Sequence, residues 1–197
     1  MVPLPRGALP AGRHAVASLI VNQASHAVVD ALAGHMAALA RPVAPEIVVG
    51  VPTLGLTLAG KVAEQLGQDR YAPLGYSRKF WYRDDLSEPV SSITSPSPGK
   101  RIYLDPNLLP LVAGRRVALV DDAISTGSTI VAAVALLRRL GAQEPAIVVA
   151  MKQTRRWQAT LAAVDPALPA KVLGVYGCPM FVRADDGWVP LGDTLPP

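Results

Sequence analysis

The chain has 197 residues, half of them apolar and 17% charged, with a mean hydropathy of +0.29 and a net charge of +4. A single domain with a real core follows, and an extended disordered chain is excluded, because disorder needs low hydrophobicity and high net charge. No apolar run reaches the roughly 18–20 residues of a membrane-spanning helix, the first turns do not read as a signal peptide, and a lone cysteine, Cys178, leaves no internal disulfide or cysteine-rich zinc site. The expected setting is cytoplasmic, with no membrane partner. Most of the nineteen basic residues are arginines scattered as pairs, such as Arg115 with Arg116 and Arg138 with Arg139, without a basic block. No nucleic-acid partner is expected on that pattern.

Apolar residues recur three and four positions apart over 18–41 (Val21, Ala24, Val28, Leu32, Met36, Leu39), which predicts an amphipathic helix ended by Pro42. EIVVGV at 46–51 reads as a buried strand, PTLG at 52–55 as a turn, and 56–67 as a second helix closed by Gly67. YAPLGY at 71–76 reads as the next strand. Residues 77–100 then turn polar: Arg78, Lys79, Arg83, Asp84, Asp85 and Glu88 precede SSITSPSPGK. An insertion that long inside a compact domain is a lid, a binding loop or a disordered segment. Beyond it, strands at 117–120, 146–151 and 172–176 alternate with a helix at 127–140 that ends at Gly141. The pattern predicts an α/β fold with a mostly parallel sheet, whose ligands lie at the carboxyl ends of the strands.

The most informative stretch is VALVDDAISTGST at 117–129. Four apolar residues end at Asp121 and Asp122, where two adjacent acceptors can take hydrogen bonds from vicinal sugar hydroxyls. The turn that follows brings the hydroxyls of Ser125, Thr126, Ser128 and Thr129, several backbone N–H groups and a helix N-terminus together, which makes a phosphate cradle. Gly127 permits the backbone to turn there and lets an anion approach. A helix cap in a solvated turn is the plain alternative. It accounts for one hydroxyl and leaves the two carboxylates and the other hydroxyls unexplained.

This segment resembles the signature of the type I phosphoribosyltransferases: a hydrophobic strand, two acidic residues, then a small-residue turn of the form T-G-x-T. The resemblance implies that Asp121 and Asp122 hold the ribose hydroxyls of phosphoribosyl pyrophosphate, and that Ala123, Ser125, Thr126, Gly127, Ser128 and Thr129 bind its 5′-phosphate. It places a pyrophosphate loop at Thr53, Leu54, Gly55 and Leu56, where a tight turn capped by Thr53 is the alternative. Residues 77–100 fall where the family keeps its lid, and Arg78 and Lys79 stand where adenine phosphoribosyltransferases begin theirs; solvated surface charge is the other reading. Lys152 stands where hypoxanthine-guanine enzymes direct a lysine at an exocyclic purine oxygen, or else is a strand-end lysine in solvent. Phe181 and Trp188 could stack on a base from a hood, or could pack a core.

Three departures from the family patterns stand out, of which the first two weigh against adenine as substrate. The adenine enzymes' lid glutamate is replaced by Ser97, an arginine of their pyrophosphate loop by Leu54, and the aspartate of hypoxanthine-guanine enzymes by Ser125. Cys178 has no histidine near it in sequence to make a catalytic thiolate, and the three histidines lie early in the chain without metal spacing.

The resulting expectation is one phosphoribosyltransferase domain over 1–197, with a core at about 18–176, a lid at 77–100 and a hood from the N-terminal residues and 177–197. It transfers ribose-5-phosphate from phosphoribosyl pyrophosphate to a nucleobase, a purine, in nucleotide salvage. Mg²⁺ would be held mainly by substrate, near Asp121 and Asp122, and the chain would form a homodimer. A non-catalytic sensor of phosphoribosyl pyrophosphate or a nucleotide, built on the same fold, is the rival.

Overall fold

β-Branched runs form the central strands at 47–50 and 146–153, and alanine-rich stretches form the helices at 26–40 and 128–139, as intrinsic preference dictates. A computed structural model describes residues 6–8, 12–90 and 100–197. In chain order the elements are β1 (Arg6–Ala8), β2 (His14–Ala17), α1 (His26–Ala40), β3 (Ile47–Gly50), α2 (Gly55–Gln65), β4 (Ala72–Gly75), β5 (Ser87–Pro89) and β6 (Arg101–Leu104). They continue with α3 (Leu109–Val112), β7 (Val117–Ile124), α4 (Ser128–Arg139), β8 (Ala146–Gln153), α5 (Arg156–Ala162), β9 (Val172–Cys178), β10 (Met180–Ala184) and β11 (Gly187–Leu191).

Seven strands form the main sheet in the order β5-β6-β4-β3-β7-β8-β9. The pairs from β4 through β3, β7 and β8 to β9 are parallel, and β6 and β5 add an antiparallel edge. The expected α/β class, with a mostly parallel sheet flanked by helices, is therefore the observed one. One face packs under α1 and α2 through Met36, Leu58 and Val62, and the other under α4 and α5 through Ile130, Leu137, Trp157 and Leu161. With both faces covered, the central strands are apolar on both sides, which is why β3 and β8 read as continuous hydrophobic runs. A second sheet, in the order β1-β2-β10-β11, joins the two ends of the chain.

Three expectations are corrected. The predicted helix at 18–41 begins only at His26: residues 14–17 are a strand and Val21–Gln23 a single 3₁₀ turn. Ser25 caps the helix, its hydroxyl accepting from the Val28 amide at 3.4 Å, and the Ala17 carbonyl is claimed by the buried Gln153 side chain. The polar insertion contains structure over 84–89, a 3₁₀ turn at Asp84–Leu86 and then β5, which is fastened to the sheet by β6 and by the Arg101 guanidinium donating to Ser87. The central strands also run past their predicted ends, β7 to Ile124 and β8 to Gln153, so Asp121 and Asp122 lie within the ladder rather than after it.

Candidate functional site

β7 is the middle strand of the parallel set, between β3 and β8, and α4 leaves its carboxyl end. Its central position buries what it carries. Asp121 is 7% exposed, Asp122 is half-buried, and the Asp122 amide donates to Asp121 Oδ1 at 2.9 Å. Burial, and then the neighbouring Asp122 charge, push the Asp121 carboxyl well above the usual range; burial also raises Asp122. Among the described residues neither carboxylate forms a salt bridge, whereas acids such as Asp30, Glu46 and Asp165 do. Two like charges held together without a cation are costly by themselves and suit a partner that arrives with hydroxyls and positive charge.

The turn after β7 meets that requirement from the other side. Residues 123–130 and Asp121 line a cavity of about 130 Å³. Gly127 takes φ of +85°, a region that favours glycine, and α4 begins immediately after it. At the head of α4 the amides precede the helical ladder, and the Ser128 amide reaches only the Thr126 hydroxyl, at 3.5 Å. The Thr126 and Ser128 hydroxyls lie 3.2 Å apart. Converging amides, hydroxyls and the positive end of a helix form an anion site.

The predicted pyrophosphate loop abuts the same carboxylates. The bond between Pro52 and Thr53 is cis, and α2 starts at Gly55. A Cβ on Gly55 would lie 2.6 Å from Asp121 Oδ1 and 2.9 Å from its Cα, so only glycine fits. Thr53 is exposed and Leu54 and Leu56 are half-exposed on this turn. The structure thus brings 53–56, 121–122 and 123–129 together at one edge.

Other predicted residues stand apart from this cluster or are already engaged. Arg78 pairs with Asp84 at 3.1 Å on an exposed turn, Lys79 is exposed beside it, and Ser97 lies outside the described residues. At the end of β8, the Lys152 stem runs against Gly174, where a Cβ would lie 2.7 Å from its Cγ, and its ammonium donates to the Pro197 carbonyl. Arg155 Nε donates to the Leu195 carbonyl at 2.6 Å, and Pro196 packs on Gly177. The segment 194–197 therefore lies over the end of β8. Phe181, in β10, packs against the α1 side of the core, and Trp188, in β11, stands across from Arg183. Cys178 is buried, which pushes its thiol up, away from thiolate chemistry.

Some neighbours of the site carried no local signal. Tyr176 is half-buried, and burial, then Cys178 and Asp122, raise its phenol. Trp157 and Leu161 of α5 form the wall behind Gly127. Their proximity depends on how α5 folds back across the sheet, which no sequence spacing encodes. A larger hollow of about 440 Å³ opens at the opposite edge, between Arg116, Glu144 and Lys171, but these groups are already paired with Glu46, Arg138 and Glu144.

A parallel α/β sheet whose carboxyl edge carries paired carboxylates and an amide-lined turn belongs to the class of folds that build anion sites at strand ends. Residues 16–165 match the family described as the phosphoribosyl transferase domain. The chain belongs to the type I phosphoribosyltransferase family. Adenine phosphoribosyltransferase of Acidiphilium cryptum is 29% identical over 123 residues, 57% of this chain and 62% of that protein. The transcriptional regulator GfcR of Archaeoglobus fulgidus is 35% identical over 92 residues, 47% of this chain and 40% of the regulator. The chain spans about half the length of the curated relatives it matches. In fold it is similar to the crystal structure of the Giardia lamblia adenine phosphoribosyltransferase complexed with 9-deazaadenine, with a TM-score of 0.63 at 21% identity, over 77% of this chain and 80% of that one. Among the described residues no helix is long and apolar enough to cross a membrane.

Proposed function

We propose that this protein transfers ribose-5-phosphate from phosphoribosyl pyrophosphate to a ring nitrogen of a purine base and releases pyrophosphate. The observation that carries the reading is the juxtaposition, at one sheet edge, of buried Asp121 and half-buried Asp122, without a cation among the described residues, and an amide-lined turn around a cavity of about 130 Å³. The turn at 123–129 takes the 5′-phosphate, Asp121 and Asp122 accept from the ribose hydroxyls, and residues 53–56 face the pyrophosphate. As the bond from the anomeric carbon to pyrophosphate breaks, positive charge grows on the ribose, and the carboxylates below it stabilise that charge. Negative charge grows on the leaving group. Arg78 and Lys79, on the exposed turn after β4, reach it as that turn closes over the site, which also excludes water and protects the substrate from hydrolysis. The acceptor nitrogen then forms the new bond to carbon and gives up its proton.

Two adjacent carboxylates are hard oxygen donors of the kind Mg²⁺ takes together with water and substrate phosphates, and among the described residues no third acidic or histidine side chain joins them. That donor set fits an ion brought in largely by substrate, where it would neutralise pyrophosphate charge. The same reading includes purine salvage, a homodimer and a cytoplasmic setting. Lys152 favours a 6-oxopurine, because an ammonium donates and never accepts; it reaches the base once its bond to the Pro197 carbonyl is exchanged for one to substrate.

A second reading, a sensor that binds phosphoribosyl pyrophosphate or a nucleotide without chemistry, is supported by the GfcR likeness and by the segment 194–197 over the end of β8. Pyrophosphate release in Mg²⁺ and phosphoribosyl pyrophosphate, measured with adenine, guanine, hypoxanthine, xanthine, uracil and orotate, separates the two. Release with one purine supports the transferase; binding of phosphoribosyl pyrophosphate with silence across all six bases supports the sensor.

A further inference from the structure

We propose that Trp157 is a positioning residue that sets the phosphate turn and the acceptor end of β8 relative to each other. The inference rests on the phosphoribosyl transfer just proposed. Trp157 is 2% exposed and touches both regions through different atoms. Its backbone side faces the turn: a Cβ on Gly127 would lie 3.4 Å from Trp157 Cα and Cβ and 2.6 Å from Leu161 Cδ1. No slack separates the turn from α5, so α5 determines how deep the 5′-phosphate seats.

Its indole side faces β8. Nε1 donates to the Thr154 carbonyl at 2.9 Å. Thr154 is 2% exposed and has φ of +57°, a left-handed conformation that a β-branched residue resists. It is held there by the indole, by its own amide donating to the Cys178 carbonyl at 2.8 Å, and by its hydroxyl accepting from the Arg156 amide at 3.4 Å. That turn aims Lys152, two residues before it, and Arg155, one residue after it. The distance between the anomeric carbon and the acceptor nitrogen depends on both regions, and misplacement by about 1 Å costs about a hundredfold in rate. One side chain fixes both ends of that distance.

The two contacts can be removed separately. Trp157→Phe keeps the Cα and Cβ behind Gly127 and loses, on the β8 side, the N–H donor together with part of the buried ring. Amide hydrogen exchange at 154–156 should rise about tenfold, with 125–129 unchanged, and acceptor KM should rise by a similar factor while calorimetric affinity for phosphoribosyl pyrophosphate stays within about twofold. Leu161→Val removes the methyl that backs Gly127. It should do the reverse, quickening exchange at 125–129 and weakening phosphoribosyl pyrophosphate about tenfold, with 154–156 unchanged. Exchange that rises equally in both segments, or in neither, for either variant overturns the positioning role. A wild-type chain that fails to bind phosphoribosyl pyrophosphate sinks the transfer reading itself, and a wild type that binds it while the two variants behave alike sinks only the role of Trp157.

Discussion

The two ends of the central sheet treat charge in opposite ways. At the amino edge Glu46, Glu144 and Asp165 each have a cation. Glu46 holds Arg115 at 3.0 Å and Arg116 at 3.4 Å, and Arg138 bridges Glu144 at 2.7 Å and Asp165 at 2.6 Å. The Arg116 amide holds the Glu46 carboxyl below its ordinary range, and Arg138 does the same first for Glu144. At the carboxyl edge buried Asp121 and half-buried Asp122 lie side by side, both raised, with amides and hydroxyls arranged around a cavity. The first arrangement is complete without a ligand. The second is favourable only when something supplies the missing charge, so the contrast distinguishes an edge that serves stability from one that serves binding.

The sharpest way to break this contrast is to neutralise the carboxylates. Asp121→Asn combined with Asp122→Asn should lower turnover by at least about a thousandfold, and unchanged turnover would remove the ribose assignment. The same change should raise the melting temperature of the ligand-free chain at neutral pH. Burial raises these carboxyls above their unfolded values, so the folded state holds their protons more tightly. Their contribution to stability is complete below the unfolded carboxylate range and is lost as pH rises through the raised folded values. Thermal melts from pH 4 to 8 should therefore show the difference between wild type and the double variant growing with pH. A difference that shrinks instead would mean the pair is compensated in the ligand-free chain.

Gly127→Ala should come next. A positive φ costs a non-glycine residue about 1–2 kcal/mol, and the new methyl meets Leu161 at 2.6 Å, adding about 1–3 kcal/mol of overpacking. The melting temperature should fall by about 5–10 °C, with weakened phosphoribosyl pyrophosphate binding by calorimetry. Lys79→Ala touches no packing, since the residue is exposed. It should leave the melt unchanged and reduce kcat about tenfold or more with little change in substrate affinity; equal losses in both would mark uniform binding. The smallest effect belongs to the amino edge. Arg138→Ala should lower the melting temperature by about 2 °C or less at neutral pH, with activity retained, and the loss should vanish as acid protonates Glu144 and Asp165. Any fall in turnover there would show that the two edges are not independent.

Much of the site is legible in VALVDDAISTGST, because each of its properties is local: a β-branched run makes a strand, glycine permits a positive φ, and hydroxyls beside a helix start make a cradle. The same holds for PTLG at 52–55, where strand, turn and helix follow in order. The helix beginning at Ser18 was misplaced by periodicity for an equally physical reason. Apolar spacing cannot distinguish residues that pack from a helix from residues that pack from a strand and a 3₁₀ turn, and the choice is made by long-range partners such as Gln153 on the Ala17 carbonyl. Strand β6 was hidden similarly, since RIYL at 101–104 is too short to stand out without its neighbour β4.

By itself, the amino-acid sequence determined the α/β class, the family and the segment that carries the carboxylates and the phosphate turn, since these depend on contiguous residues and their intrinsic conformations. The tertiary structure decided the rest: the burial that raises Asp121, the closeness that admits only glycine at Gly55, the wall that Trp157 and Leu161 place behind Gly127, and the seat of residues 194–197 against Lys152 and Arg155. Each of these joins residues far apart along the chain. Such contacts depend on how the layers pack, and no local pattern of residue types specifies them.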